Sequence, residues 1–169
     1  MEVIKYPSRE EWASLAQRPA LDVTTLFDTV RTVLDEVREQ GDTAVKAYEE
    51  KFDKVLLSSL QVSEEEMREA DALVAEDLKQ AIRTAKANIE KFHASQRFEG
   101  KKVETTPGVT CWQKAVAIEK VGLYIPGGTA PLFSTVLMLA VPARIAGCKE
   151  IVLCTPPNRE GKVHPAILF

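Results

Sequence analysis

The sequence lacks the features of a secreted or nucleic-acid-binding protein. Its only cysteines are Cys111, Cys148 and Cys154, with no C-x-x-C pair, so they cannot form a complete disulfide framework. The opening MEVIKYPSREEWASLAQ contains acidic residues and no apolar core, which argues against a signal peptide. The net charge of −3 indicates no basic surface for nucleic acid. We therefore predict free thiols, a cytoplasmic location and no nucleic-acid partner.

An uninterrupted apolar segment is also missing. Residues 121–143 carry no charge and are numerous enough to span a bilayer. Five helix-breaking residues interrupt them: Pro126, Gly127, Gly128, Pro131 and Pro142. A membrane span must satisfy its backbone hydrogen bonds internally, and these residues break that continuity. We predict no membrane contact, which leaves a buried core element or a ligand-binding strand–turn–helix.

Residues typical of catalysis are sparse. The two histidines, His93 and His164, have no His, Cys or carboxylate at metal-ligand spacing. The acidic run at 64–66 is better explained by a helix N-terminus than by acid–base chemistry. No Ser-His-Asp or Cys-His arrangement can be argued. The sequence therefore predicts no catalytic residues and no metal ligands in this chain.

Helical periodicity dominates the first hundred residues. Apolar positions from Leu26 to Val37 recur every three or four residues, and Asp22 and Gly41 are placed to cap and end that helix. Asp42 is placed to cap the next helix.

A stronger helix start lies further along. Ser63 and Glu66 have the spacing of a capping box, ahead of apolar positions that keep helical spacing to about Gln96. That length is unusual for one helix, so a break near 73–77 is plausible from the pattern.

The pattern changes after residue 98. The stretch VETTPGVTCWQKAVAIEKVGLYIP predicts two or three strands in a hairpin or meander. A helix from Pro131 or Ser134 to Ala146, the stop at Gly147 and the strand EIVLCTPP complete a βαβ unit. We therefore predict an α/β fold in which an N-terminal helical region, 1–98, precedes a Rossmann-like parallel-sheet domain, incomplete in this chain, at 99–169.

The helix of this βαβ unit is apolar on all sides. That composition predicts burial on several faces, with Met138 in the packing. Pro142 removes one backbone donor, so we expect a kink or a helix restart there.

The last residues, GKVHPAILF, place Pro165 in the first turn of a further helix with four apolar residues behind it. From this we expect a truncated chain. We also expect it to expose an apolar patch that favours self-association.

The segment GLYIPGG is the candidate ligand site. Glycines at the carboxyl end of a parallel strand allow a ligand to approach the backbone closely, and the next helix N-terminus favours anions. The segment matches neither G-x-G-x-x-G nor the Walker A loop, so by pattern alone a tight structural turn, with a buried helix packed on the sheet, is favoured over a nucleotide site. By pattern alone, Tyr124 is a core tyrosine or an aromatic shelf beside a ligand.

Longer segments resemble the histidinol dehydrogenase family. They are REQGDTAVKAYEEKFDK, NIEKFHASQ, TPGVTCWQKAVAIEKVGLYIPGG and VGLYIPGGTAPLFSTVLMLAVPARIAGCKEIVLCTPP. The resemblance implies a zinc-dependent, NAD-linked oxidoreductase that converts L-histidinol through the aldehyde to L-histidine, using two NAD. It also implies a homodimer whose two subunits both contribute to the site, with incomplete Rossmann-like domains.

The resemblance assigns few residues in this chain. The family's tyrosine that contacts NAD matches Tyr124, and we place Pro126, Gly127 and Gly128 beside it as weaker cofactor neighbours. The family takes its zinc ligands and its Glu-His acid–base pair from later segments, which His93 and His164 do not match. We therefore expect this chain alone to be inactive. The alternatives are a stand-alone binding or interaction module derived from the enzyme and an aldehyde-dehydrogenase-like relative with another substrate.

Overall fold

A computed structural model describes residues 3–18, 22–127 and 131–169. The chain divides into two compact units, Met1–Ala44 and Val45–Phe169, and each is described by itself. The predicted division at residue 98 between a helical region and an α/β domain stays a prediction.

The first unit contains two helices and a short 3₁₀ turn. These elements are α1 (Trp12–Leu15), the 3₁₀ turn Thr24–Leu26 and α2 (Phe27–Gln40), and α3 (Asp42–Tyr48) begins in this unit. Asp22 accepts hydrogen bonds from the backbone N and Oγ1 of Thr24, at 3.0 and 2.6 Å. Asp22 thus bonds to the first residue of the 3₁₀ turn, whereas α2 has Leu26 as its N-cap and no side-chain cap, so the predicted cap on that helix was wrong. Gly41 ends α2 with a φ of 58°, a value that favours glycine.

The second unit continues with a mixed series of helices and strands. After a π-helical turn at Glu49–Asp53 come α4 (Glu64–Leu73), α5 (Glu76–Ala94), β1 (Val103–Thr106), β2 (Val109–Cys111), β3 (Lys120–Tyr124), α6 (Phe133–Ala146), β4 (Glu150–Cys154) and α7 (Pro165–Leu168). Its buried apolar residues are small in number and spread over these elements: Val55, Ala70, Val74, Ile82, Ile125, Val141 and Ala166.

The predicted capping box is confirmed at the start of α4. Ser63 Oγ accepts a hydrogen bond from Glu66 N at 3.2 Å, and the Glu66 carboxylate accepts one from Ser63 N at 2.8 Å. The plausible break is confirmed as well, because Val74 and Ala75 are both extended and separate α4 from α5.

β1 and β2 form an antiparallel hairpin turned at Gly108, whose φ is 82°. All residues of both strands are exposed. β3 pairs with β4 and not with the hairpin, so the three-stranded meander, one of the two predicted arrangements, does not form. The hairpin therefore packs on itself alone within the described structure.

β3, α6 and β4 form the predicted βαβ unit, which confirms the α/β fold class. The two strands are parallel and in register from Lys120 opposite Glu150 to Tyr124 opposite Cys154. Every second residue of each strand is half-buried, and the alternate residues are exposed. Parallel sheets are normally covered on both faces, whereas this pair is covered on one. We call the exposed side, which carries Gly122, Tyr124, Val152 and Cys154, the bare face.

α6 is less buried than its composition predicts. It packs against α5 and the two strands, but only Val141 is buried, and Met138 is 51% exposed. The expectation of burial on several faces, with Met138 in the packing, was therefore wrong for this chain. Too few elements surround the helix to cover it. Of the kink or helix restart expected at Pro142, the restart is absent, because one helix continues through the proline.

Candidate functional site

β3 and β4 end side by side, at the place where open α/β folds bind ligands. Tyr124 lies opposite Cys154. The ladder extends one bond further, since Ile125 N donates to Cys154 O at 2.9 Å. Ile125 is fully buried, with a relative exposure of 0%. This residue anchors the strand end and fixes the position at which the chain leaves the sheet.

Tyr124 is exposed at this edge. Its relative exposure is 64%, and its neighbour on the bare face, Val152, is 51% exposed. Gly122, on the same face, has no atom within 4 Å of the position a Cβ would occupy. Tyr124 is therefore not a core tyrosine in this chain. Its ring is accessible at the carboxyl end of the strand, as an aromatic contact for a ligand requires.

Gly127 is required by packing. A Cβ at this position would lie 2.6 Å from Cγ of Pro156, which is closer than real Cβ contacts. The glycine thus allows the segment after β3 to contact the segment after β4. Pro126 beside it is exposed. Gly128, the fourth predicted cofactor neighbour, lies outside the described residues.

The segments after the two strands enclose a cavity of about 200 Å³. Its polar lining residues were not predicted from the sequence: Thr155, Asn158 and His164. The sequence gives some indication of Thr155 at this site, because Thr155 directly follows the strand that ends beside Tyr124. Nothing in the sequence pattern indicates that the segment 156–164 returns to the same edge.

The two histidines have structural partners. His93 Nδ1 lies 2.7 Å from Oε1 of Gln96, just beyond the end of α5. His164 Nδ1 accepts a hydrogen bond from Ala166 N at 3.2 Å and so caps α7, whose predicted first-turn proline is confirmed. His164 is exposed.

No metal centre can be assembled from the residues described. Within residues 3–18, 22–127 and 131–169, no three His, Cys, Asp or Glu side chains are grouped so that they could hold a metal ion. The three thiols are free. The zinc implied by the family resemblance therefore has no matching ligand set here, and we derive no chemical step through it.

The carboxyl group of Glu49, away from the strand ends, is perturbed by burial. Burial, followed by the nearby charge of Asp53, raises the pKa of Glu49 above its ordinary value. Its Oε2 is buried and has no hydrogen-bond partner in the described structure. Glu49 begins the π-helical turn that follows α3. No residue of a reaction centre accompanies it in the described part of the chain, so we assign it no part in the candidate site.

The described part of the chain contains no helix with both the length and the apolar character needed to cross a membrane. The uncharged stretch instead forms β3, α6 and the segment between them.

The comparisons with known proteins agree with one another. The histidinol dehydrogenase family model matches residues 16–169. Histidinol dehydrogenase of Bacteroides thetaiotaomicron is 69% identical over 169 residues, which cover 100% of this chain and 40% of that protein. The enzyme of Shigella sonnei is 50% identical over 149 residues, which cover 88% of this chain and 34% of that one.

A solved structure gives the same result. The crystal structure of histidinol dehydrogenase from Elizabethkingia anophelis superposes with a TM-score of 0.90 at 51% identity, covering 96% of this chain and 37% of that chain. This chain thus spans about 40% of the length of its full-length relatives. The family match, the sequence identities and the shared fold lead to one conclusion: the chain belongs to the histidinol dehydrogenase family.

Proposed function

We propose that this chain is part of a histidinol dehydrogenase, a cytoplasmic homodimer that oxidises L-histidinol through the aldehyde to L-histidine with NAD and zinc. The observation that carries the proposal is the 69% identity to a histidinol dehydrogenase along the whole chain. Identity at this level over every element argues for the family's reaction, in preference to an aldehyde-dehydrogenase-like relative with another substrate.

In this proposal the chain supplies one wall of the NAD crevice. NAD, when bound, accepts the hydride, and the protein's task is to hold and orient it. The exposed ring of Tyr124 would contact the cofactor, and Pro126 and Gly127 would lie beside it. Gly127 fits this role through its packing, because its contact with Pro156 keeps the segment after β3 close to the strand ends. Gly128 is included on the family resemblance alone.

The acid–base pair and the zinc ligands would come from other parts of the enzyme. We therefore propose that the 169-residue chain does not oxidise histidinol by itself, and that its contribution is to bind and orient the cofactor.

The test compares the chain alone with the chain supplied with the remaining segments of the Bacteroides thetaiotaomicron relative. Each sample receives L-histidinol, NAD and zinc, and NADH formation is followed by absorbance. We expect no NADH from the chain alone and NADH formation in the complemented sample. Turnover by the chain alone would contradict its proposed inactivity. Failure of a correctly folded complemented protein would favour a stand-alone binding module.

A further inference from the structure

Another cavity, of about 610 Å³, lies between the carboxyl ends of α5 and α6 and the segment that precedes β3. It is at the amino end of β3, and none of its described lining residues lines the cavity of about 200 Å³ at the carboxyl ends of the strands. Sites for small molecules typically occupy roughly 300–1,000 Å³, so the volume is suitable for one. We call it the α5–α6 cavity.

Two contacts hold the walls of the α5–α6 cavity together. Nη2 of Arg97 donates a hydrogen bond to O of Ile145 at 3.3 Å, which ties the segment after α5 to the last turn of α6. A Cβ at Gly100 would clash with the carbonyl oxygen of Gln113, so glycine is required for these two segments to lie this close. The cavity is therefore built into the packing of the chain.

The larger part of the lining is apolar. Phe98, Val116, Pro142 and Ile145 all contribute to it. Pro142 and Ile145 are half-buried, whereas Phe98 is 54% exposed and Val116 is 75% exposed. Covering exposed apolar surface is favourable in water. This wall therefore suits the hydrocarbon or aromatic part of a ligand.

Two opposite charges, Arg97 and Glu99, also line the cavity. Within the described part of the chain neither forms an ion pair, and the carboxylate of Glu99 accepts no hydrogen bond there. Arg97 uses one nitrogen for Ile145, and its guanidinium group has further N–H donors. His93, the remaining titratable residue of the lining, is paired with Gln96. The cavity thus offers a cation and an anion beside an apolar wall.

A ligand that satisfies both charges must carry a carboxylate and an ammonium group. An α-amino acid holds these two groups on one carbon atom, with a side chain on the same carbon. We propose that the α5–α6 cavity binds an α-amino acid with an apolar side chain. The carboxylate pairs with Arg97, the ammonium group pairs with Glu99, and the side chain packs on Phe98 and Val116. The inference goes beyond the proposed dehydrogenase function and does not depend on it.

The test compares three ligands of similar shape by methyl NMR titration of the 169-residue chain. L-Phenylalanine carries both charges, phenethylamine lacks the carboxylate, and 3-phenylpropionate lacks the ammonium group. We expect the Kd of phenylalanine to be roughly three- to tenfold below that of either analogue, because each analogue loses one charge-assisted hydrogen bond at a partly exposed site. The methyl signals of Val116 and Ile145 should shift, and that of Val152 on the bare face should not.

Two variants assign each charge to its residue. Glu99→Gln should remove the preference for phenylalanine over 3-phenylpropionate and leave the preference over phenethylamine. Arg97→Gln should do the reverse. The matched controls are Glu160→Gln and Arg159→Gln, at exposed positions outside the cavity, and both preferences should persist in them.

Three results would overturn the proposal. The first is no shift of Val116 and Ile145 with any ligand, and the second is equal affinity for all three ligands, since the apolar wall alone would then explain binding. The third is a Glu99→Gln variant that weakens all three ligands equally, which would indicate a structural effect. Arg97→Gln also removes the bond to Ile145. If the Ile145 signal of that ligand-free variant shows that the wall has moved, the Glu99→Gln result decides the proposal.

Discussion

At the scale of single residues, Gly122 and Gly127 differ in what surrounds them. Gly122 faces open space on the bare face, whereas a Cβ at Gly127 would lie 2.6 Å from Pro156 Cγ. The first glycine could therefore be replaced without a clash and the second could not.

We predict that Gly127→Ala lowers the free energy of unfolding by about 1–3 kcal/mol, the usual cost of overpacking. Gly122→Ala should have little effect or a slightly stabilising one, because a strand interior disfavours glycine. Urea unfolding followed by circular dichroism measures both. Equal stability of the two variants would show that the segments after the strands separate easily, against the close packing described here.

Glu49 gives a prediction about pH. Its pKa is raised in the folded chain, first by burial and then by Asp53. A carboxyl group with a raised folded pKa contributes stability below its unfolded pKa, near 4.5, and that stability is lost as the pH rises through the folded value. At neutral pH, Glu49 therefore makes the folded chain less stable than it is in acid.

We expect Glu49→Gln to raise the Tm by roughly 1–3 °C at neutral pH and to have less effect near pH 4. The control is Glu50→Gln, at the exposed neighbouring position. Thermal melts across the acidic range measure the difference. A Glu49→Gln effect that did not depend on pH would contradict an origin in ionisation.

At the scale of elements, the capping box of α4 is a sequence pattern that stabilises the start of a helix. Hydrogen bonds from the backbone and the side chain of Ser63 lower the pKa of Glu66. The stability associated with a lowered carboxyl pKa is present above the unfolded value and is lost as the pH falls through the folded one.

We predict that Ser63→Ala destabilises the chain by about 1 kcal/mol, the usual cost of losing an N-cap. The loss of stability in Ser63→Ala should be smaller at acidic pH, where the Glu66 carboxylate is protonated. Ser58→Ala, at another exposed serine outside any helix, is the control. Guanidinium unfolding at neutral and acidic pH tests this prediction. If Ser63→Ala and Ser58→Ala lower the free energy of unfolding equally, the capping box does not stabilise the chain.

The elements differ in how well local sequence predicts them. The start of α4 is set by Ser63 and Glu66 a few residues apart, so the pattern located it. The partner of β3 lies beyond the whole of α6, and it was predicted from the order strand–helix–strand and not from neighbouring residues. The exposure of Met138 was missed, because composition shows what a helix can bury and not what is present to cover it. The candidate site was predictable only at Tyr124 and its adjoining turn. The cavity was not predictable, because it is formed where the segment 156–164 returns to the ends of the strands.

At the scale of the whole molecule, the exposed surface is large. The chain exposes 14169 Å², whereas two separate compact units of these sizes would together expose roughly 10,000 Å². The excess includes apolar residues on the hairpin, on α6 and on the bare face, for example Val109, Met138 and Val152. Extended apolar surface of this kind marks contact sites.

We predict concentration-dependent self-association of the chain, with a weight-average mass by sedimentation that rises above 18.7 kDa. Val152→Lys, on the bare face, should reduce the effect if that face takes part. Lys101→Glu, at an exposed polar position before the hairpin, changes charge without removing apolar surface and serves as the control. A constant monomer mass at all concentrations would contradict the prediction.

The pairing of Tyr124 with Cys154 has a practical consequence. It places an exposed thiol next to the ring proposed to contact the cofactor. With Cys111 changed to Ser, a thiol-reactive dye would attach mainly at Cys154, because Cys148 is less exposed. The chain thus carries a built-in attachment point for an optical sensor, and the emission of the dye would report directly on occupancy of the crevice.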